Sequence, residues 1–140
     1  MPRFVLLYHI CPSGYERPSH WDLMLEVGDT LHTWALSELL RVWHAAQRAT
    51  AVIDPACPPL AACDHVAAER LGNHRPVYLE YEGPLSGDRG QVHRIDSGTY
   101  IGEPTSPHVW PFELHGDMVH GTIVLQQPST VNEEWILREN

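Results

Sequence analysis

The sequence contains no lysine, and all nine of its cationic residues are arginines. Charged residues make up only 19% of the chain, and the formal net charge is −9 with histidine neutral. A general nucleic-acid-binding surface normally carries clustered Lys and Arg, which neutralise phosphates. The composition therefore argues against such a surface, and any phosphate chemistry must depend on a local site. Arginine suits a local site, because its planar guanidinium binds phosphate oxygens in a bidentate way.

Cysteines and long apolar runs are also scarce. The three cysteines, Cys11, Cys57 and Cys63, cannot all pair within the chain, and the spacing of the last two fits no common zinc knuckle. We therefore expect reduced thiols and a cytoplasmic protein. The amino-terminal apolar run before His9 has only about five residues, too few for a signal sequence or a membrane span. The sequence predicts neither export nor a membrane partner.

The remaining composition is that of a globular protein rich in turns. Hydrophobic residues reach 43% of the 140 residues, and twelve prolines and ten glycines are spread along the chain. A chain of this length can bury a sizeable core, but it is shorter than two ordinary domains usually need. We expect a single domain over residues 1–140.

Short β-strands are predicted over most of the chain by alternating polar and apolar residues. They lie at 3–9, 20–27 and 30–36, and again from His74 onward in PVYLEYEG, GQVHRIDSG, GTYIGE, WPFELHG, MVHGTIVLQQ and EWILRE. Between these groups, helical spacing of apolar residues predicts a helix over about 37–48, and DHVAAERL is predicted as a second short helix. This order favours a mainly β protein, a compact antiparallel β-barrel with one or two flanking helices, with a sandwich as the alternative.

One predicted strand, HWDLMLE at 20–26, places an imidazole and a carboxylate side by side. Alternate residues of a strand face opposite sides, so Trp21, Leu23 and Leu25 predict a core face. His20 and Asp22 then share the other face. Such a pair is unusual on an amphipathic strand, and it marks a candidate functional site.

Two further histidines accompany this pair in the predicted strands. His9 closes the first strand, and His74 lies four residues before Tyr78, on the same strand face. Two imidazoles and a carboxylate such as Asp22 suit a divalent cation such as Mn²⁺ or Zn²⁺ and leave positions open for substrate. The alternative is that these polar groups satisfy one another beneath a loop. Spacing alone leaves both interpretations open.

A series of segments resembles a known family over nearly the whole chain. In order, these segments are RFVLLYH, HWDLMLE, LHTWAL, NHRPVYLEYEG, GDRGQVHRIDSGTY, FELHGDMVHGTIVL and EWILRE. They are similar to the 3′-phosphoesterase domain of bacterial DNA ligase D and its stand-alone homologues. The insertion at about 37–68 lies outside the resemblance.

The resemblance implies a β-barrel that processes nucleic-acid 3′ ends in DNA repair with a divalent metal. Such an enzyme removes a terminal ribonucleoside and then the 3′-phosphate, typically with Mn²⁺. It implies metal ligation by His9, Asp22 and His74 and catalytic roles for His20 and Tyr78. The implied partners are a nucleic-acid 3′ end or a smaller phosphoester and, alongside it, a DNA ligase or polymerase.

The chain departs from the family pattern where phosphate is bound. The family usually has an arginine two residues after the metal-binding aspartate, and this chain has Met24 there. A second family arginine lies upstream of the last metal-binding histidine, and Arg70 is matched to it with altered spacing; Arg75 and Arg89 are the candidate substitutes. Loss of one charge-assisted contact costs roughly 1.5–3 kcal/mol. The alternatives to an active phosphoesterase are therefore a non-catalytic metal- or nucleotide-binding module of the same fold, and a silent relative with a structural site.

Overall fold

The computed structural model describes all 140 residues and contains nine β-strands. The strands are β1 (Arg3–Ile10), β2 (His20–Val27), β3 (Thr30–Leu36), β4 (His65–Arg70), β5 (Gly83–Pro84), β6 (Gln91–Ile101), β7 (Val109–Gly116), β8 (His120–Gln126) and β9 (Trp135–Glu139). Their order in the sheet is β1-β2-β3-β4-β9-β8-β7-β6-β5, and β1 also pairs with β6. All of these pairings are antiparallel, so eight strands form a closed barrel and β5 is an extra strand beside β6. The predicted mainly β barrel is confirmed.

The barrel encloses an inner core to which all eight barrel strands contribute alternate side chains. In β2, Trp21, Leu23 and Leu25 belong to this inner core, as their spacing predicts. Because a barrel has no open edge, the strand backbones find hydrogen-bond partners within the sheet. The predicted bounds of β2 and β3 agree with the structure.

The predicted helix at 37–48 is displaced toward the carboxyl terminus. A 3₁₀ turn occupies Arg41–Trp43, and α1 spans His44–Ile53. The first apolar residues of the predicted helix are extended instead, because Leu39 forms a parallel bridge with Leu60. The α1 residue Thr50 is fully buried; its hydroxyl accepts a hydrogen bond from the indole of Trp21 at 3.0 Å and donates to the Ala46 carbonyl at 2.8 Å. The bond from Trp21 of β2 joins α1 to the barrel.

The prediction of a second helix at DHVAAERL is wrong, because residues His65–Arg70 form β4. Val66 and Ala68 are buried at alternate positions, and the backbone pairs with β3 on one side and β9 on the other. Long-range pairing has overridden the helical preference of Ala and Glu in this short segment. The only α-helix is therefore α1.

PVYLEYEG, predicted as a strand, is a 3₁₀ turn at Pro76–Leu79 followed by irregular chain. Pro76 occupies the first turn, where its missing N–H is tolerated. The segments GQVHRIDSG and GTYIGE form one long strand, β6, whose pairing with β1 shifts register between Leu6 and Leu7.

The outward faces of β1 and β2 are covered as well. Six buried apolar residues form an outer cluster separate from the inner core: Val5, Leu7, Met24, Leu31, Leu79 and Val92. Tyr78, Tyr81 and Leu85 pack against it, so the chain at 76–85 lies over the outside of the barrel at this point. Polar residues on the same strand faces are therefore enclosed rather than exposed. No helix is long and apolar enough to cross a membrane.

Candidate metal and phosphate site

A cavity of about 200 Å³ lies on the outer face of the barrel, next to the outer cluster. It forms where β1 ends and β2 begins, because His9 is the cross-strand partner of His20 and Leu7 is that of Asp22. Strand alternation puts these side chains on one face, and the 71–92 region supplies the opposite wall. Five residues predicted from the sequence line it together: His9, His20, Asp22, His74 and Tyr78.

His20 and Asp22 form a buried pair in the wall of this cavity. Each is only 5% exposed, and Nε2 of His20 lies 3.2 Å from Oδ1 of Asp22. Nδ1 of His20 lies 2.9 Å from the carbonyl oxygen of Pro18, and since a carbonyl only accepts, this nitrogen carries a proton. In the neutral ring, Nε2 would then face the carboxylate as a second acceptor. The contact therefore requires either a proton on Nε2 or a cation beside the two atoms.

The protonation of His20 follows the same geometry. Burial alone would lower the pKa of His20, but contact with the Asp22 carboxylate and with the Pro18 carbonyl outweighs it, so the pKa of His20 is raised. Oδ1 of Asp22 accepts no well-formed hydrogen bond in the protein, although it is buried. A buried carboxylate oxygen without a donor is unusual and points to a missing proton or cation partner.

His9 and His74 are each oriented by a backbone carbonyl. Nε2 of His9 donates to the carbonyl of Arg89 at 2.5 Å, and Nδ1 of His74 donates to the carbonyl of Gly72 at 2.8 Å. In neutral rings the remaining nitrogens, Nδ1 of His9 and Nε2 of His74, keep free lone pairs. Burial lowers the pKa of His9, which favours this neutral form. Carbonyl-oriented neutral imidazoles are the usual state of metal-binding histidines.

Tyr78 reaches the cavity from the 3₁₀ turn. Its ring packs edge-on against His74, with ring centroids 5.7 Å apart. The backbone of His74 is itself held to β3 by two hydrogen bonds with Leu31, of 2.8 and 2.9 Å. The sequence predicted that His74 and Tyr78 share a strand face; they are neighbours, but through a turn.

The three arginines predicted to bind phosphate are placed differently. Arg89 lines the cavity, and its guanidinium donates to the carbonyl and hydroxyl of Ser86 at 2.7 and 3.1 Å. Arg75 is exposed and does not line the cavity. Arg70 also lies outside it: its guanidinium stacks over Trp34 and donates to backbone carbonyls and to the side chain of Asn73.

The sequence analysis did not predict Arg17 and Cys11 as residues of the site. Arg17, in the loop between β1 and β2, lines the cavity and donates to Glu69 at 2.8 Å. Cys11 joins His9 and His20 in a group whose ligand atoms all lie within 4.8 Å of one another, so this group could hold a metal ion. The predicted trio of His9, Asp22 and His74 shares the cavity but does not form such a group.

The spacing His-x-Cys, in which Cys11 directly follows β1, was the sequence signal for Cys11, because residues two apart in extended chain share a face. No comparable signal marked Arg17, which lies in an irregular loop rich in Pro, Gly and Ser.

The donor set as a whole fits a divalent cation. Neutral imidazoles and a carboxylate suit Mn²⁺ or Zn²⁺, and the thiol of Cys11 would shift preference toward Zn²⁺. The orphaned oxygen of Asp22 is the observation of this structure that favours such an ion.

No model of a known protein family matches the chain, and no curated protein matches it.

Proposed function

We propose that this protein is a divalent-metal-dependent phosphoesterase, hydrolysing 3′-terminal phosphates or ribonucleoside ends in DNA repair, or smaller phosphoesters. The observation that carries the proposal is the buried Asp22, whose Oδ1 accepts no well-formed hydrogen bond and shares the cavity with three imidazoles, each oriented by a backbone carbonyl. A structural polar cluster would instead be expected to pair all of its buried oxygens. The cavity is also open to solvent-borne ligands beside two arginines, Arg17 and Arg89.

Each proposed role is assigned to a residue that lines the cavity. Asp22, His9 and His74 would hold the ion, with Mn²⁺ the first candidate and Zn²⁺ the second. A bound ion supplies charge to the phosphoryl oxygens and lowers the pKa of water. His20, whose raised pKa favours the protonated ring, would donate a proton to the departing oxygen. Tyr78 would position the substrate at the cavity wall.

The phosphate itself needs cations, and the candidates are few. Arg89 and Arg17 line the cavity, but both guanidiniums already make hydrogen bonds within the protein. A phosphate would compete with Ser86 for Arg89 and with Glu69 for Arg17. Charge-assisted, bidentate contacts to a dianion are stronger than bonds to a neutral hydroxyl, so we assign the main phosphate contact to Arg89.

The test is Mn²⁺-stimulated phosphate release from a 3′-phosphorylated primer–template and from a small phosphomonoester. We expect Asp22→Asn to abolish stimulation and metal binding together, because it removes the only anionic ligand. His20→Gln should lower turnover by about 10²-fold or more while metal affinity is retained. Glu113→Gln is the matched control, since Glu113 forms a comparable but exposed pair with His115 at 3.0 Å. Asp22→Asn retaining wild-type metal affinity contradicts the assignment.

The second candidate is a non-catalytic module that holds a metal or nucleotide. The observation that favours it is Met24, which is 2% exposed and packed in the outer cluster where the ligase D family places a phosphate-binding arginine. Ligand binding without turnover in the same assays would favour this module. A silent relative would show neither a metal effect on binding nor turnover.

A further inference from the structure

A second and larger cavity, a groove of about 900 Å³, adjoins the small one on the outer face of the barrel. Arg17 and His20 line both cavities. The proposed phosphate site and the groove therefore share part of their walls. Nothing in the proposed chemistry uses the groove, although its volume is several times that of the small cavity.

Strand register connects the two cavities. Asp22 is the cross-strand partner of Ala35, and Ala35 is the partner of Glu69, so the three residues form one row across β2, β3 and β4. Neighbouring strands lie about 4.8 Å apart, which places Glu69 roughly 10 Å from Asp22 along the row. Ala35 and Ala67 both line the groove. Their small side chains keep its floor low, so a substrate bound at Asp22 can extend over them.

The groove walls combine apolar surface with negative charge. Trp135 and Ile136 of β9 form an apolar side. The carboxylates that line the groove are Glu38, Glu69, Glu133 and Glu134, and the only guanidinium is that of Arg17, which Glu69 already neutralises. A polyanionic strand leaving the phosphate site along this groove would meet uncompensated negative charge.

We propose that the groove holds the alcohol portion of the substrate, and that this portion is uncharged and partly apolar, with no phosphate of its own. The inference rests on the proposed phosphoesterase function and specifies its substrate class as small phosphoesters rather than polynucleotide ends. The carboxylates of Glu38, Glu133 and Glu134 form an acidic rim that repels anionic substrates, because a cleft lined by one sign of charge depletes ligands of the same sign. Trp135 and Ile136 favour an apolar group by burial.

Charge reversal at the rim tests the inference. Glu133→Lys/Glu134→Lys alters two exposed groove residues, and Glu103→Lys/Asp117→Lys makes the same change in net charge at exposed positions that do not line the groove. Phenyl phosphate and a 3′-phosphorylated decanucleotide are compared as Mn²⁺-dependent substrates at low salt. Binding of the decanucleotide, labelled at its 5′ end, is measured separately by fluorescence anisotropy.

We expect the natural protein to show the higher kcat/KM on phenyl phosphate. The groove reversal should raise kcat/KM and affinity for the decanucleotide by about tenfold over the control reversal, and leave phenyl phosphate within about twofold. Preference of the natural protein for the decanucleotide, or equal gains from both reversals, overturns the inference. If neither compound is hydrolysed, the phosphoesterase proposal fails, and the anisotropy comparison still decides whether the rim excludes polyanions.

Filling the groove gives an independent measurement. Ala67 is exposed on β4, so Ala67→Trp adds bulk over the floor without disturbing the inner core. We expect KM for phenyl phosphate to rise about tenfold or more, with little change in the inhibition constant of inorganic phosphate, which has no alcohol portion. An unchanged KM would show that the alcohol portion lies elsewhere and would reject the groove as its site.

Discussion

Replacing Met24 with arginine would place a cation where the resemblance to the ligase D family predicts one, but in apolar surroundings. Met24 is 2% exposed and packs among aliphatic residues of the outer cluster. It also lines the small cavity and shares a strand face with Asp22, about 6.5–7 Å away along β2. The aliphatic part of an arginine can replace most of the methionine packing, so the main effect comes from the charge.

The magnitude depends on whether an anion is present. In the protein without ligands, an unpaired buried charge costs about 3–5 kcal/mol. The nearby Asp22 offers partial relief only, because His20 already contacts its carboxylate at 3.2 Å. Met24→Leu, which keeps the site apolar and of similar volume, should cost less than about 1.5 kcal/mol. An anion bound beside the new guanidinium at 100 times its dissociation constant would return about 2.7 kcal/mol.

Urea unfolding followed by tryptophan fluorescence, with and without inorganic phosphate, measures both the cost of the buried charge and the stabilisation by a bound anion. We expect Met24→Arg to lower the free energy of unfolding by about 3–5 kcal/mol, and phosphate to restore more of it than in Met24→Leu or the natural protein. Activity on 3′-phosphorylated DNA should rise in the variant, and its binding should depend more steeply on salt. If Met24→Arg is as stable as Met24→Leu without phosphate, residue 24 is not enclosed as described. Destabilisation that phosphate does not relieve would show that the guanidinium cannot reach the cavity.

Three further predictions concern the framework of the site. In urea titrations, Thr50→Val should destabilise the protein by about 1–3 kcal/mol more than Thr50→Ser, because valine leaves the buried indole N–H of Trp21 without its acceptor. Equal losses of stability in the two variants would count against this bond. Gly90 has a φ of +86°, and a Cβ added to it would clash with the Ile10 carbonyl; Gly87 has a φ of +71°, but a Cβ added there meets no atom. Gly90→Ala should therefore destabilise the protein far more than Gly87→Ala. Similar melting temperatures for the two variants would contradict the contact at Gly90. Burial raises the pKa of Tyr100 to about 12, so the stability that its neutral form contributes is present below pH 10 and is lost as pH rises toward 12. Tyr100→Phe should therefore lose less stability than the natural protein between pH 10 and pH 12. Parallel profiles of stability against pH would refute the assignment.

Several site residues could be predicted from the sequence because strand alternation is a local property. The side chains of His20 and Asp22 share a face in any extended chain, and the structure places them 3.2 Å apart. The positions of the arginines predicted to bind phosphate were harder to predict, because long side chains can turn in several directions. The guanidinium of Arg70 stacks on Trp34 and donates to neighbouring carbonyls, so it does not line the cavity. Arg17 lines the cavity because it lies in a loop without regular structure beside it.

The sequence by itself determined the class of fold, the bounds of β2 and β3, and the shared face of the His–Asp pair, since each depends on neighbouring residues and the period of an extended backbone. Only the tertiary structure decided that the outer face of β1 and β2 is enclosed, that DHVAAERL is a strand, and that Asp22, Ala35 and Glu69 lie in one row. These features depend on which strands become neighbours in the closed barrel. Such pairing joins residues far apart in the chain. Its free energy comes from burial and backbone hydrogen bonds between those residues, which cannot be predicted from a local sequence pattern.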